Sequence, residues 1–149
     1  MDRHDEGDTF HPETKLFPLH NIAGTSGREL YGKLAGVYDA IKDDNRVFWM
    51  DKRHYSAFSG TDLDIRLRER RVTTVVLTGV LTDICVLHTA IDAYNLGYDI
   101  EVVASATASL TPEAHDFAIG HFKMFLEQPL WSKKIYNREW EYILLSFFV

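Results

Sequence analysis

Short apolar runs alternate with amphipathic segments along the middle of the chain, and this alternation predicts an α/β protein. The β-branched run Thr74–Leu77 stops at Gly79, which is typical of a buried strand in a parallel sheet. The apolar runs Arg46–Met50 and Tyr98–Ala104 predict two further strands. Because helical segments separate these runs, we expect a right-handed parallel sheet covered by helices on both faces.

The predicted helices each begin at a serine or threonine whose hydroxyl can accept a hydrogen bond from the first free N–H groups. In the third of them, we expect Ile84, Leu87 and Ile91 to form an inward-facing apolar stripe. In the second, Leu63 and Leu67 share a face at i, i+4. The four helices run from Ser26 to about Ile41, from a Thr61 cap through Leu63–Arg71, from a Thr82 cap to Gly97, and from a Thr111 cap through Pro112 to about Leu126.

The amino-acid composition limits which partners the protein could bind and in which cellular compartment it could fold. The chain has 149 residues and is 46% apolar, which suits one globular domain, and its net charge of −6 argues against nucleic acid or an anionic membrane as partner. A single cysteine leaves no internal disulfide and fits a reducing cytosol. The polar first residues lack the apolar region of a signal peptide, and the longest apolar run, Tyr142–Val149, is too short to span a bilayer. We therefore expect a cytoplasmic protein.

The single cysteine, Cys85, falls in the first turn of the third predicted helix, just beyond the carboxyl end of a strand. Open α/β sheets place their sites at such positions, and the partial positive charge of a helix N-terminus favours the thiolate. Lys52 follows the predicted strand Arg46–Met50 and would lie on the same rim if the two strands are neighbours. A buried structural cysteine and a solvated surface lysine are the alternative interpretations.

Four potential metal ligands occur in one loop-like segment with the spacing D-x-H-x8-E-x6-H. Carboxylate and imidazole ligands of this kind suit zinc, iron or manganese. Polar loops also contain such residues by chance, so both interpretations stay open on spacing alone. The four residues are Asp2, His4, Glu13 and His20.

Several segments together carry a resemblance to a known family. They read F-H-P-E-T-K-L-F-P-L-H-N, G-T-S-G-R-E-L-Y-G, D-K-R-H-Y-S-A-F-S-G-T-D-L and L-T-G-V-L-T-D-I-C-V-L-H-T-A-I-D-A. From Asp2 to about Leu126 the chain resembles the pyrazinamidase/nicotinamidase branch of the isochorismatase-like cysteine hydrolases. The resemblance implies a three-layer, doubly wound parallel sheet in a single domain over 1–149, with residues 130–149 as a divergent tail.

The resemblance implies hydrolysis of a small pyridine carboxamide, nicotinamide, to nicotinate and ammonia in NAD salvage. Cys85 would attack the carboxamide carbon with Lys52 beside it, giving a thioester that water hydrolyses. The backbone N–H groups of Leu81 and Cys85 would form the oxyanion hole, after a non-proline cis peptide between Val80 and Leu81. A divalent metal, zinc, iron or manganese, would hold the pyridine nitrogen, and the assembly would be a homo-oligomer. The implied ligands are Asp2, His4, Glu13 and His20, with Phe17 and Tyr55 as aromatic walls of the substrate pocket.

The chain also departs from the family pattern. The family's triad includes an aspartate at the end of the first strand, upstream of the metal loop, whereas this sequence begins at Met1-Asp2 within that loop. We therefore expect the first strand, the helix after it and the triad aspartate to be absent, and activity to be impaired. The apolar terminus would be a shifted reading frame or a strand in the vacated place. The alternatives are a non-catalytic remnant that binds a metal or a partner chain, and another amidase or an isochorismatase; Cys85 argues against the last.

Overall fold

A computed structural model describes residues 1–126 and the backbone of residues 142–147. Contacts within the chain divide these residues into two units, one formed by Met1–Arg53 and the other by the described residues from His54 onward. Among the described residues, no helix combines the length and the hydropathy needed to cross a bilayer. The elements in chain order are α1 (Lys33–Ile41), α2 (Leu63–Glu69), β1 (Thr74–Val80), α3 (Leu87–Asn95), β2 (Asp99–Ala108), α4 (Pro112–His121) and β3 (Tyr142–Phe147).

The second unit is built on a three-stranded parallel sheet with the order β2-β1-β3. Three consecutive residues of β1, Val75, Val76 and Leu77, are buried, so the central strand is covered on both faces. Parallel sheets show such continuous apolar runs because helices pack on each side. Helices α3 and α4 both contact β2. The predicted α/β class with a parallel sheet is confirmed, as are the strands at Thr74 and Tyr98, the latter beginning at Asp99.

The described part of the tail is a strand. β3 pairs in parallel with β1 on the edge opposite β2, with Thr74 opposite Tyr142 and Gly79 opposite Phe147. This backbone arrangement agrees with the alternative in which the apolar terminus adds a strand to the sheet. The rest of the predicted divergent tail, residues 130–141 and 148–149, lies outside the described residues.

Two of the predicted helix starts are confirmed, one of them with its predicted cap. α2 begins at Leu63, but its N-cap is Asp62 and not the predicted Thr61, although the N–H of Leu63 donates to the Thr61 hydroxyl at 3.2 Å. The N–H of Ala114 donates to the Thr111 hydroxyl at 3.2 Å, and α4 begins at the proline after that cap. A π-turn at Phe122–Leu126 continues α4 to the predicted end.

Two predictions for the first unit are wrong. The helix expected from Ser26 is a short 3-10 turn at Ser26–Arg28, and α1 begins only at Lys33, because Gly32 adopts a positive φ of 61° that interrupts the helical path. The strand expected at Arg46–Met50 is not formed. A strand needs a neighbouring ladder, and among the described residues this segment has none.

The apolar stripe predicted for the cysteine helix is also wrong. A five-residue π-turn at Thr82–Val86 precedes α3, so the residues after it are rotated relative to a continuous α-helix. The fully buried apolar residues are therefore Val86, Ala90 and Ala93. Ile84 and Ile91 are half-buried, and Leu87 alone of the predicted stripe is buried.

The buried face of α2 generates a stability prediction. Leu67 is fully buried, whereas Leu110 is 79% exposed. Leu67→Ala should lower the free energy of unfolding by about 2–5 kcal/mol, since it removes buried methyl groups and leaves a cavity. The matched change Leu110→Ala should alter it by less than about 0.5 kcal/mol. Urea unfolding followed by far-UV circular dichroism measures both, and equal losses for the two variants would contradict the described core.

Candidate functional site: a buried metal-ligand cluster and a cysteine turn

Backbone hydrogen bonds fix the N-terminal segment beside Lys52 in the first unit. The N–H of Arg3 donates to the Lys52 carbonyl at 2.9 Å, and the N–H of Lys52 donates to the Met1 carbonyl at 3.0 Å. Asp2 and Lys52 consequently form a parallel β-bridge and lie directly opposite one another. Neighbouring residues in such a bridge bring their side chains close together.

A second bridge holds His4 on the other side of the same segment. The N–H of His4 donates to the Asn21 carbonyl at 3.1 Å, and the His4 carbonyl accepts from the N–H of Ala23 at 2.8 Å. His4 is thereby bridged to Ile22, two residues after His20. The two bridges bring Asp2, His4 and the His20 segment together.

Four side chains converge in this unit, and one ligand atom from each lies within 4.8 Å of the others. The Nε2 atom of His4 is 3.5 Å from Asp2 Oδ2 and 3.3 Å from Glu13 Oε2. The Nε2 atom of His20 is 3.8 Å from Asp2 Oδ2. The residues brought together are those that the spacing singled out: Asp2, His4, Glu13 and His20.

The donor atoms of this cluster fit a divalent cation. Within residues 1–126, Asp2 Oδ2, His4 Nε2 and Glu13 Oε2 are buried and have no hydrogen-bond partner. Buried polar atoms without partners are costly, so their convergence calls for a group that satisfies all of them. Two imidazole nitrogens and two carboxylate oxygens form a donor set that suits zinc, iron or manganese. The cluster is therefore a possible metal-binding site.

Burial shapes the electrostatics of the cluster. Desolvation lowers the pKa of His4, which favours the neutral imidazole that metals bind. Desolvation, and then the negative charge of Asp2, raises the pKa of Glu13. A cation between the two carboxylates would offset this repulsion.

Asp2 also forms a buried ion pair. The Lys52 ammonium donates to Asp2 Oδ1 at 3.3 Å, and the two side chains are only 3% and 1% exposed. One carboxylate oxygen thus contacts the lysine while the other contacts His4 and His20. Sequence reasoning singled out both residues but missed the contact between them, because 50 residues separate the partners and no local pattern links them.

The predicted aromatic walls lie in different units. In the first, the Phe17 ring is edge-on to His20, with centroids 6.4 Å apart, so Phe17 borders the metal-ligand cluster. In the second, the Tyr55 ring contacts His88, with centroids 5.2 Å apart. Both aromatic side chains are half-buried. Their contact with substrate stays a prediction.

The second unit holds Cys85 in the π-turn Thr82–Val86, which follows the carboxyl end of β1. Cys85 is buried. The peptide bond between Val80 and Leu81 is cis, as the family resemblance implies. The Leu81 carbonyl accepts hydrogen bonds from the N–H of Ile84 at 3.2 Å and of Val86 at 3.1 Å, which closes the turn. The oxyanion-hole role of the Leu81 and Cys85 N–H groups, and the approach of Lys52 to Cys85, stay predictions.

Two residues beyond β2 contact this turn. The Thr82 hydroxyl lies 3.0 Å from Nδ1 of His115 on α4, so it does not cap the helix as the sequence predicted. The Ser109 hydroxyl donates to the Asp83 carboxylate at 2.5 Å. Sequence reasoning missed His115 and Ser109; the available signal was their place just after a strand whose carboxyl end lies at the same sheet edge as that of β1.

Most of the chain matches one known protein family. Residues 3–130 match the isochorismatase domain. The chain is 55% identical over 122 residues to an uncharacterised isochorismatase family protein, PncA, of Bacillus subtilis, and the match covers 82% of this chain and 67% of that protein.

Two solved structures are also similar. The pyrazinamidase/nicotinamidase of Streptococcus mutans is 74% identical, with a TM-score of 0.85, over 88% of this chain and 72% of that one. The nicotinamidase/pyrazinamidase PncA of Bacillus subtilis is 51% identical, with a TM-score of 0.86, over the same shares. With its parallel α/β sheet and a domain match over most of its length, the chain belongs to the isochorismatase family.

Proposed function

We propose that this chain is a metal-assisted cysteine amidohydrolase of the nicotinamidase type, which hydrolyses nicotinamide to nicotinate and ammonia, with impaired activity in the 149-residue chain. The observation that carries the proposal is the convergence of three buried residues, Asp2, His4 and Glu13, with the half-buried His20. It occurs in a chain that is 74% identical to a pyrazinamidase/nicotinamidase. A buried donor set of this kind needs a cation, and a pyridine ring nitrogen is a suitable further ligand for one.

Zinc is the proposed metal, with iron and manganese compatible with the same donors. When bound, the metal would supply a Lewis acid that holds the pyridine nitrogen. Asp2, His4, Glu13 and His20 would be its protein ligands. Phe17, which borders His20, would pack against the pyridine ring, and Tyr55 would form a second aromatic wall.

Cys85 is the proposed nucleophile. Its sulfur would form a bond to the carboxamide carbon, giving a tetrahedral intermediate whose oxyanion accepts hydrogen bonds from the N–H groups of Leu81 and Cys85. The carbon–nitrogen bond then breaks, and the nitrogen leaves as ammonia after taking up the proton that the thiol has lost. Water attacks the resulting thioester, releases nicotinate and returns the thiol. The Lys52 ammonium would stabilise the thiolate.

This reaction consumes the amide of a nicotinamide ring and yields nicotinate, which is chemistry of NAD salvage. Its substrate and product are small molecules made and used inside cells, so we propose a cytoplasmic location. The homo-oligomer implied by the family resemblance stays a prediction.

A second candidate is a non-catalytic remnant that binds a metal or a partner chain. Its support comes from two loop carboxylates, Asp5 and Asp8, which are engaged in ion pairs. Asp5 contacts Arg53 at 2.7 Å and Arg3 at 2.9 Å, and Asp8 is also paired with Arg53. The hydrogen bond from the Arg53 guanidinium lowers the pKa of Asp8, so this carboxylate is a poor general base.

Metal binding gives the first test. We expect the chain, freed of metal with a chelator, to bind one zinc ion in isothermal titration calorimetry. Glu13→Gln should weaken binding at least about tenfold, since it removes a charged ligand from the cluster. The matched change Glu29→Gln alters a glutamate outside the cluster and should leave affinity unchanged. Equal affinities for Glu13→Gln and the unaltered chain would rule out this cluster as the metal site.

Activity gives the second test. The test compares the 149-residue chain with a chimaera in which the N-terminal segment of the Streptococcus mutans protein precedes it. We expect the chain to release ammonia from nicotinamide about 10²–10⁴-fold more slowly than the chimaera, because general acid–base assistance accelerates a reaction by that factor. Cys85→Ala should abolish release by the chimaera. Equal rates for the chain and the chimaera would show that another residue already supplies the base. No release by either folded protein would favour the remnant.

A further inference from the structure

The turn that carries Cys85 is tied to the sheet edge by two successive side chains. Thr82 is fully buried, and its hydroxyl lies 3.0 Å from His115 Nδ1 across 33 residues of sequence. The next residue, Asp83, accepts a hydrogen bond from the Ser109 hydroxyl and is 26 residues away from it. The N–H of Asp83 also approaches the Ser109 oxygen at 3.4 Å. The first two residues of the turn are therefore both anchored from outside it.

These anchors act on the part of the turn that presents backbone N–H groups. The turn closes on the Leu81 carbonyl, directly before Thr82. Rotation of the Thr82 peptide would therefore redirect the N–H groups that follow, including that of Cys85. Fixed N–H dipoles stabilise a thiolate only where they point toward it. The orientation of the turn thus bears directly on the chemistry of the sulfur.

We propose that His115 is a positioning residue that acts through Thr82 to hold the Cys85 turn in the conformation that stabilises the thiolate. The inference rests on the proposed role of Cys85 as nucleophile and adds a residue to that site. An imidazole nitrogen can accept a hydrogen bond from a hydroxyl or donate one to it, so the contact with Thr82 forms with either tautomer.

Packing does not require an imidazole at this position. The buried residues of α4 and its continuation include Ala118 and Phe122, both fully buried, and these attach the helix to the second unit. His115 itself is half-buried and reaches the turn through its Nδ1 atom. A change that keeps an aromatic ring but removes the nitrogen should therefore preserve the fold and lose only the tie to Thr82.

The experiment measures the alkylation of Cys85 by iodoacetamide as a function of pH. Cys85 is the only cysteine, so the reaction reports on that sulfur alone. His115→Phe and Thr82→Val should each slow alkylation about three- to tenfold near neutral pH, the equivalent of one hydrogen bond. Their rates should converge with that of the unaltered chain at high pH, where every thiol is ionised.

Three further variants separate positioning from packing. His115→Asn places an amide nitrogen near the position of Nδ1 and should restore most of the rate. His121→Phe alters another histidine of α4, which contacts Phe117 and Phe125, and should have no effect. The double variant of Thr82→Val with His115→Phe should be no slower than either single change, because both remove the same contact. Urea unfolding confirms that each variant is folded.

The outcomes separate this inference from the proposed function. If the unaltered chain has a thiol pKa below the ordinary value of about 8.5 and His115→Phe leaves the profile unchanged, the positioning role is wrong while the activated thiol stands. The positioning role is also wrong if His115→Phe changes the rate equally at every pH, since such a change reports only the access of the reagent to the sulfur. If the unaltered chain has an ordinary thiol pKa, the activated nucleophile and the positioning role both fail.

Discussion

The buried carboxylate of Asp2 is the interaction on which the first unit depends. One of its oxygens accepts from the Lys52 ammonium, and the other faces the imidazoles of His4 and His20. A buried charge is tolerated only when it is paired, so removal of either partner would leave the other charge in a poorly solvating environment. The segment that carries the predicted metal ligands and the loop that carries the predicted catalytic lysine are thereby fixed to each other. Metal binding and the placement of Lys52 are expected to depend on the same side chain.

The second unit meets a different constraint, which is to hold a short turn still at the end of a strand. β1 is buried on both faces and ends at Val80, and the π-turn with Cys85 follows immediately after Leu81. Such a turn is short, and side chains from outside it contribute to holding its conformation. His115 and Ser109 supply them. The proposed catalytic role of Cys85 and the inferred role of His115 therefore both depend on the conformation of this turn.

The sequence pattern predicts those features of the fold that depend on residues close together in the chain. The cap at Thr111, the buried face of Leu63 and Leu67, and the central strand all depend on neighbours in sequence, and all are found. The convergence of the four predicted ligands follows from their spacing together with the family resemblance. The contacts of Asp2 with Lys52 and of Thr82 with His115 join residues 50 and 33 positions apart, and no periodicity encodes them. The predicted apolar stripe is wrong for a related reason. The π-turn rotates the residues that follow it, and the spacing of apolar residues does not indicate that such a turn is present.

The central claim is that Cys85 forms a covalent bond to the carboxamide carbon of nicotinamide. Acid-quenched mixtures of the protein and nicotinamide, digested and analysed by mass spectrometry, test it most directly. The account predicts a nicotinoyl adduct on the peptide that contains Cys85, removed by hydroxylamine and absent from Cys85→Ala. Release of ammonia by Cys85→Ala at the rate of the unaltered protein, with Cys85 of the latter unmodified at every quench time, would contradict it.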